Sequence, residues 1–289
     1  MSEDLFSCPE ICRRIAYWVS PRVGDLASLC RTCKAFRREA EVRLYENLMF
    51  LDPSKAYLAC RTIILQSRHG PFVRLFWFNP ESRRQPQNLP QSFWKTLQDA
   101  LSRMPNIEAL HLSDNTFSNS WVLNPERFSF QLSEAKLRFA WDDYTVSFLQ
   151  SQRKLCVLQI IDQMDDVRLQ IQPSTLPLLQ VFDGNLLIGI QFLACPLTHL
   201  QLVVDMEGPQ VLELLPRLAH ARKTLRGLNV LAMPDDISVR ALNIIARSCP
   251  FLHHVGLLHL PTVSVRRHCG FPEGVLILWY YSVKNSTSH

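Results

Sequence analysis

One phrase recurs along this chain and limits what it can fold into: apolar-x-x-apolar-x-apolar, introduced by a short turn that often carries proline. Met104-Pro105-Asn106 leads into Ile107, Leu110 and Leu112, and Lys154 leads into Leu155, Leu158 and Ile160. Cys195-Pro196 precedes Leu197, Leu200 and Leu202; Thr224 precedes Leu225, Leu228 and Val230; Cys249-Pro250 precedes Leu252, Val255 and Leu257. Weaker copies lie at Val73 to Phe78, Leu137 to Trp141 and Leu178 to Phe182. Alternating apolar residues at the end of each phrase predict a strand. Helical spacing lies between them. Asp52-Pro53-Ser54 opens a helix through Gln66, with Ala56, Ala59, Cys60 and Ile63 on one side, and His69-Gly70-Pro71 ends it. Phe72 to Phe78 follows as an aromatic strand, then Asn79 to Pro90 as a loop. Ser92 reads as the cap of a helix facing inward through Phe93, Leu97, Leu101 and Met104. Gln210 to Ala221 is a helix that Pro216 should break or kink. Val239, Leu242, Ile245 and Cys249 mark another, capped by Asp236 or Ser238.

Strand then helix at a period of about 20 to 30 residues predicts an α/β chain, an irregular leucine-rich-repeat solenoid with a parallel sheet over residues 51–289. Each unit leaves an apolar face that only a neighbour can bury. A generic layered α/β fold would also alternate strand and helix, but it does not require the repeated phrase, and no glycine-rich phosphate loop follows any copy. The asparagine that closes such repeats is largely missing, Asn115 being the best candidate. On a strand reading the leucines face the core and the residues between them face the concave sheet surface. That predicts a surface of Trp77, His111, Gln159, Phe182, Gln201, Asn229 and His254. Aromatic and polar residues without Arg or Lys suit a protein partner better than nucleic acid.

Residues 1–50 are patterned differently. Ile11, Ile15 and Val19 repeat every four residues, with Ser7 as cap and Glu10 reaching back three positions later. Asp25, after Gly24, stands where an N-cap belongs. Leu26, Leu29, Cys30, Cys33 and Phe36 line a second helical face, which Ala40, Leu44, Tyr45 and Leu48 continue. Short amphipathic helices bury little alone, so a partner surface is expected.

Residues 6–48 resemble an F-box, the helical motif that docks on the Skp-family adaptor of cullin ubiquitin ligases. The resembling residues are Pro9-Glu10-Ile11 with Ile15, Asp25-Leu26, Leu29, the Cys30-Arg31-Thr32-Cys33-Lys34-Ala35-Phe36 segment and Leu44-Tyr45. The departure is at the front, where the family's Leu-Pro lies one residue earlier and this chain has Ser7-Cys8. F-box proteins often carry leucine-rich repeats behind the motif. The resemblance implies a substrate-recognition subunit of an SCF-type ligase, with Pro9, Ile11, Ile15, Leu26, Leu29, Cys33 and Phe36 on the adaptor, a cullin beyond it, and a target protein on the repeats. A repeat scaffold for protein–protein interaction, with the helices merely capping the repeats and no ubiquitin role, is the alternative.

A chain of 289 residues with 47% apolar and 20% charged residues is long enough for a real core. Its net charge of +5 is mild, although eight Lys and Arg fall between Arg13 and Arg43. A zinc-dependent nucleic-acid binder could use that excess together with Cys8, Cys12, Cys30 and Cys33, whose spacing fits four thiolates. The helical placement of Cys12, Cys30 and Cys33 beside Ile and Leu favours packing instead. Cys60, Cys156, Cys195, Cys249 and Cys269 are scattered and read as core. Met1 to Leu5 lacks the pattern of a signal peptide, and Val275 to Tyr281 is among the longest apolar runs. A cytoplasmic or nuclear chain with reduced thiols and no membrane span is expected, which makes the Asn285-Ser286-Thr287 glycosylation triplet incidental.

Catalytic signatures are absent: there is no G-x-S-x-G, G-x-x-x-x-G-K-[ST], H-E-x-x-H or G-x-G-x-x-G. Asp142-Asp143 and Asp165-Asp166 read as helix starts and turns. His253 and His254 point to opposite sheet faces, and His268-Cys269 has no companion ligand nearby in sequence. The expectation is a non-enzymatic binding protein with no metal or cofactor.

Overall fold

Nine strands among the described residues form one sheet, all parallel and arranged in the order of the sequence. They are β1 (Asn47–Phe50), β2 (Leu75–Phe78), β3 (Ala109–Ser113), β4 (Glu134–Arg138), β5 (Val157–Ile161), β6 (Val181–Asn185), β7 (His199–Val203), β8 (Gly227–Leu231) and β9 (His254–Leu258). The computed structural model describes residues 8–19, 22–80, 88–161, 169–172 and 175–258. The expectations for Ser7, Asp165-Asp166, His268-Cys269, Val275 to Tyr281 and Asn285 lie outside them. No helix of the described residues is long and apolar enough to cross a membrane.

Strand starts are spaced unevenly, from 18 residues (Val181 to His199) to 34 (Leu75 to Ala109). The crossovers explain the scatter, because a parallel neighbour needs a return path but not always a helix. β1 reaches β2 through α4 (Pro53–Leu65), and β2 reaches β3 through α5 (Gln91–Leu101). Only short 3₁₀ turns are described between β3 and β4. α6 (Asp143–Ser151) leads to β5, a brief α7 (Leu186–Gly189) to β7, α8 (Gly208–Leu214) to β8 and α9 (Ser238–Ser248) to β9.

Local chemistry sets several of these ends. The Asp52 carboxylate accepts from the Ser54 amide at 2.8 Å with Pro53 at the first helical position, as the sequence predicts for α4. Asp142 does the same for α6, accepting from the Thr145 amide at 3.0 Å. α8 gives way at Pro216 to a 3₁₀ turn, Leu215–Ala221. Two predicted caps are not formed. α5 begins at Gln91 behind Pro90, with no side-chain cap from Ser92. Before α9, Asp235–Ile237 make a 3₁₀ turn and the Ser238 hydroxyl donates back to the Pro234 carbonyl at 2.9 Å.

In-register apolar rows hold the layers together. One row runs Leu48, Phe76, Leu110, Ala135, Leu158, Phe182, Leu200, Leu228; the next holds Phe78, Leu112, Leu137, Ile160, Leu202 and Val230. All are buried against the crossovers. The Phe78 ring lies 5.2 Å from Phe93 and 6.2 Å from Trp94 of α5.

Parts of the sheet depart from the pattern that the sequence predicts. Phe182 does not face the open surface: it is fully buried, with its ring 4.9 Å from Phe192. The phrase at β6 runs Leu179, Phe182, Gly184 rather than ending on Phe182, because the third apolar slot holds a glycine. A Cβ on Gly184 would stand 2.7 Å from the Ile160 carbonyl oxygen and 3.0 Å from the Phe182 ring. The phrase at β4 likewise lies earlier than the predicted Leu137 to Trp141, as Leu132, Ala135 and Leu137. β1 was not expected at all, since α3 (Lys34–Glu46) runs into it with no Gly or Pro between and Leu48 continues the helical stripe.

Asp114, not Asn115, closes the β3 turn. One carboxylate oxygen accepts from the Thr116 amide and hydroxyl, and the other from the amides of Ser118 and Asn119. The Asn115 side-chain oxygen has no partner.

Ala232, after β8, holds φ at 60°, a conformation that costs an L-residue with a Cβ. Ala232→Gly is therefore expected to stabilise the chain by about 1 kcal/mol, read as a higher denaturant midpoint at unchanged m-value.

Candidate protein-docking surfaces

Three helices lead into β1: α1 (Pro9–Val19), α2 (Val23–Leu29) and α3. The break at Cys30 to Cys33 divides what the sequence reads as one helical face. Asp25 sits inside the first turn of α2 rather than at its cap, which is Arg22. Cys33 is the residue before α3 and is exposed, so it does not pack as a hydrophobe. Ala16, Leu26 and Ala40 form a small core of their own, against which Val19, Leu29, Cys30 and Leu44 pack. Arg13 pairs with Glu39 at 3.1 Å and the Arg43 guanidinium lies over the Tyr17 ring at 5.0 Å, tying α1 to α3.

Of the predicted adaptor contacts, Leu26 and Phe36 are buried, 1% and 7% exposed, Leu26 within the helices' own small core. Pro9 and Cys33 are exposed, while Ile11, Ile15 and Leu29 are partly so. Missing from the expected set are Trp18, 76% exposed, Tyr17 and Val23. Trp18 was findable: Ile11, Ile15 and Trp18 fall at i, i+4 and i+7 on one stripe. That stripe adjoins the buried Cys12 and Ala16, and its exposure rises from the partly covered Ile11 and Ile15 to Trp18.

This bundle is fixed to the sheet. Glu41 of α3 pairs with Arg68 at 3.0 Å and stands 3.6 Å from the ring nitrogen of buried His69, whose ring stacks on Tyr45 at 4.2 Å. Burial holds the His69 pKa below its usual value, with Glu41 opposing.

The second surface is the sheet face opposite the crossovers. Its central rung runs in register through Met49, Trp77, His111, Lys136, Gln159, Asp183, Gln201, Asn229 and Gly256. Five of the seven predicted face residues fall on it. Phe182 is turned inward, and His254 lies one row aside, opposite Gly227. Sequence reasoning missed Lys136 and Asp183, whose phrases carry Ala135 and Gly184 where leucine was sought. Trp77, His111 and Gln159 are partly exposed, whereas Gln201 and Asn229 are nearly buried. Glu134 draws His111 to 2.9 Å and Lys136 to 3.3 Å.

No protein-family model matches this chain, and no curated protein matches it. The reading of these surfaces therefore rests on their chemistry.

Asp183 is the unusual group on the rung. Gln159 donates to one of its oxygens at 2.9 Å and Gln201 to the other at 3.0 Å. Burial nevertheless pushes its pKa up to about 6, against the opposing pull of Gln201 and Lys136. The folded state thus favours the protonated acid more than the unfolded state does, and stability falls as pH rises through the window from about 4 to 6. Asp183→Asn is expected to flatten that slope and raise Tm at pH 7.5 by roughly 2–4 °C, measured by thermal melts between pH 4 and 8.

Among the described residues no group of three or more His, Cys, Asp or Glu is placed to hold a metal. Burial raises the thiol pKa of Cys60 to about 12 and of Cys195 to about 11, which keeps both protonated and inert.

Proposed function

We propose that the chain is a non-catalytic substrate-recognition subunit of an SCF-type cullin ubiquitin ligase, acting in the cytoplasm or nucleus. In this reading residues 6–48 are an F-box that docks on a Skp-family adaptor, and the sheet is an irregular leucine-rich-repeat solenoid whose open face holds the target protein. The observation that carries it is the apolar surface of exposed Trp18, Tyr17 and Val23, with partly exposed Ile11 and Ile15 on the same helix as Trp18, beside a small core of Ala16, Leu26 and Ala40. Patches of this kind mark partner surfaces. Pro9, Leu29, Cys33 and Phe36 belong to the resembling motif, and Leu26 fills the small core of the helices.

Such a subunit needs no reacting group. It raises the effective concentration of a target lysine near the conjugating enzyme. The Glu41, Tyr45, Arg68 and His69 contacts suit that role, because they keep the docking helices in fixed relation to the sheet.

Co-expression of the full chain with a Skp-family adaptor tests the proposal. A one-to-one complex that survives gel filtration at micromolar concentration is the expected result; separate elution of the two proteins at tens of micromolar would overturn it. The scaffold alternative is favoured by one observation, the uninterrupted passage from α3 into β1. It predicts separate elution.

A further inference from the structure

We propose that the sheet face recognises a basic side chain, arginine or lysine, of an extended target segment, with Asp183 as its counter-ion. The inference rests on reading that face as the target-holding surface. Asp183 occupies the middle of the central rung, between Gln159 and Gln201. Each carboxylate oxygen accepts one amide N–H and keeps acceptor capacity for another donor. Neutral amides orient the group without neutralising it. No Lys, Arg or His of the described residues stands within ion-pair distance of it. Lys136, two strands away on the rung and 3.3 Å from Glu134, also acts on Asp183 and favours its charged form. Half-buried Val157 and Val181 lie on the adjacent row, which continues through Glu134 on one side and His199 on the other. A carboxylate in such a setting attracts an incoming cation more strongly than one in water would.

The arrangement also lowers the stability of the unliganded fold, as the raised Asp183 pKa indicates. A carboxyl perturbed in this way, on a face where its geometry leaves acceptor capacity, is a candidate binding group.

The test uses the full chain, immobilised, and four pools of twelve-residue peptides with random flanks and a fixed central Arg, Lys, Ala or Glu. Retention of a basic pool about tenfold above the Ala and Glu pools is expected, falling to the Ala level in Asp183→Asn. Glu134→Gln removes another acid of the same face and is expected to leave the preference intact. Equal retention of the basic and Ala pools by the wild-type chain would overturn the proposal, as would a basic preference that survives in Asp183→Asn. Adaptor binding measured on the same samples keeps the readings apart. A chain that binds the adaptor but shows no basic preference sinks only this inference. One that keeps the preference without the adaptor sinks only the ligase reading.

Discussion

Phe182→Ala is expected to cost about 3–5 kcal/mol, the largest stability loss of any single truncation argued from this fold. The side chain is fully buried in the apolar row between Leu158 and Leu200 and stacks near Phe192. Its neighbours cannot close the gap. A Cβ at Gly184 would lie 3.0 Å from the ring and one at Gly189 3.1 Å, so two glycines have already given up their side chains to admit it. Removing the ring leaves a cavity lined partly by glycine backbone, which has nothing to collapse inward. Urea or guanidinium titration checks the value. Trp77→Ala, on the open rung, is expected to cost much less, and a reversal of that order would mean the strand register is wrong.

The second large effect concerns binding. Ile15→Ala combined with Trp18→Ala should weaken the adaptor complex by on the order of 2 kcal/mol or more, at least about thirtyfold in Kd. Trp18 is 76% exposed and Ile15 partly so, so the free protein loses little packing and Tm should fall by only a few degrees. Leu26→Ala gives the opposite pattern. That side chain fills the helices' small core, and its truncation is expected to destabilise them by about 2–5 kcal/mol. Calorimetric titration of the adaptor beside thermal melts separates the two cases.

How much of this was legible in the sequence depended on which residue filled each slot. Where leucine occupied all three apolar positions, as in Leu197, Leu200 and Leu202, strand and inward face were both readable. Where Ala135 or Gly184 stood in, the phrase lost its contrast and the register slipped, which turned Phe182 outward and hid Lys136 and Asp183. β1 was concealed because nothing in Glu46-Asn47 announces a turn. In the N-terminal helices spacing revealed the apolar residues but not which of them would meet each other. Leu26 and Phe36 were spent on the inside, and Trp18, on the same stripe as Ile15, was left out.

The central claim is that the N-terminal helices keep an apolar surface for a second polypeptide. Hydrogen–deuterium exchange of the full chain, alone and with a saturating Skp-family adaptor, tests it most directly. Slower exchange in residues 9–33, with the strands from Leu75 to Leu258 unchanged, is the result expected. Protection confined to the strands, or no change anywhere in the chain, would contradict it.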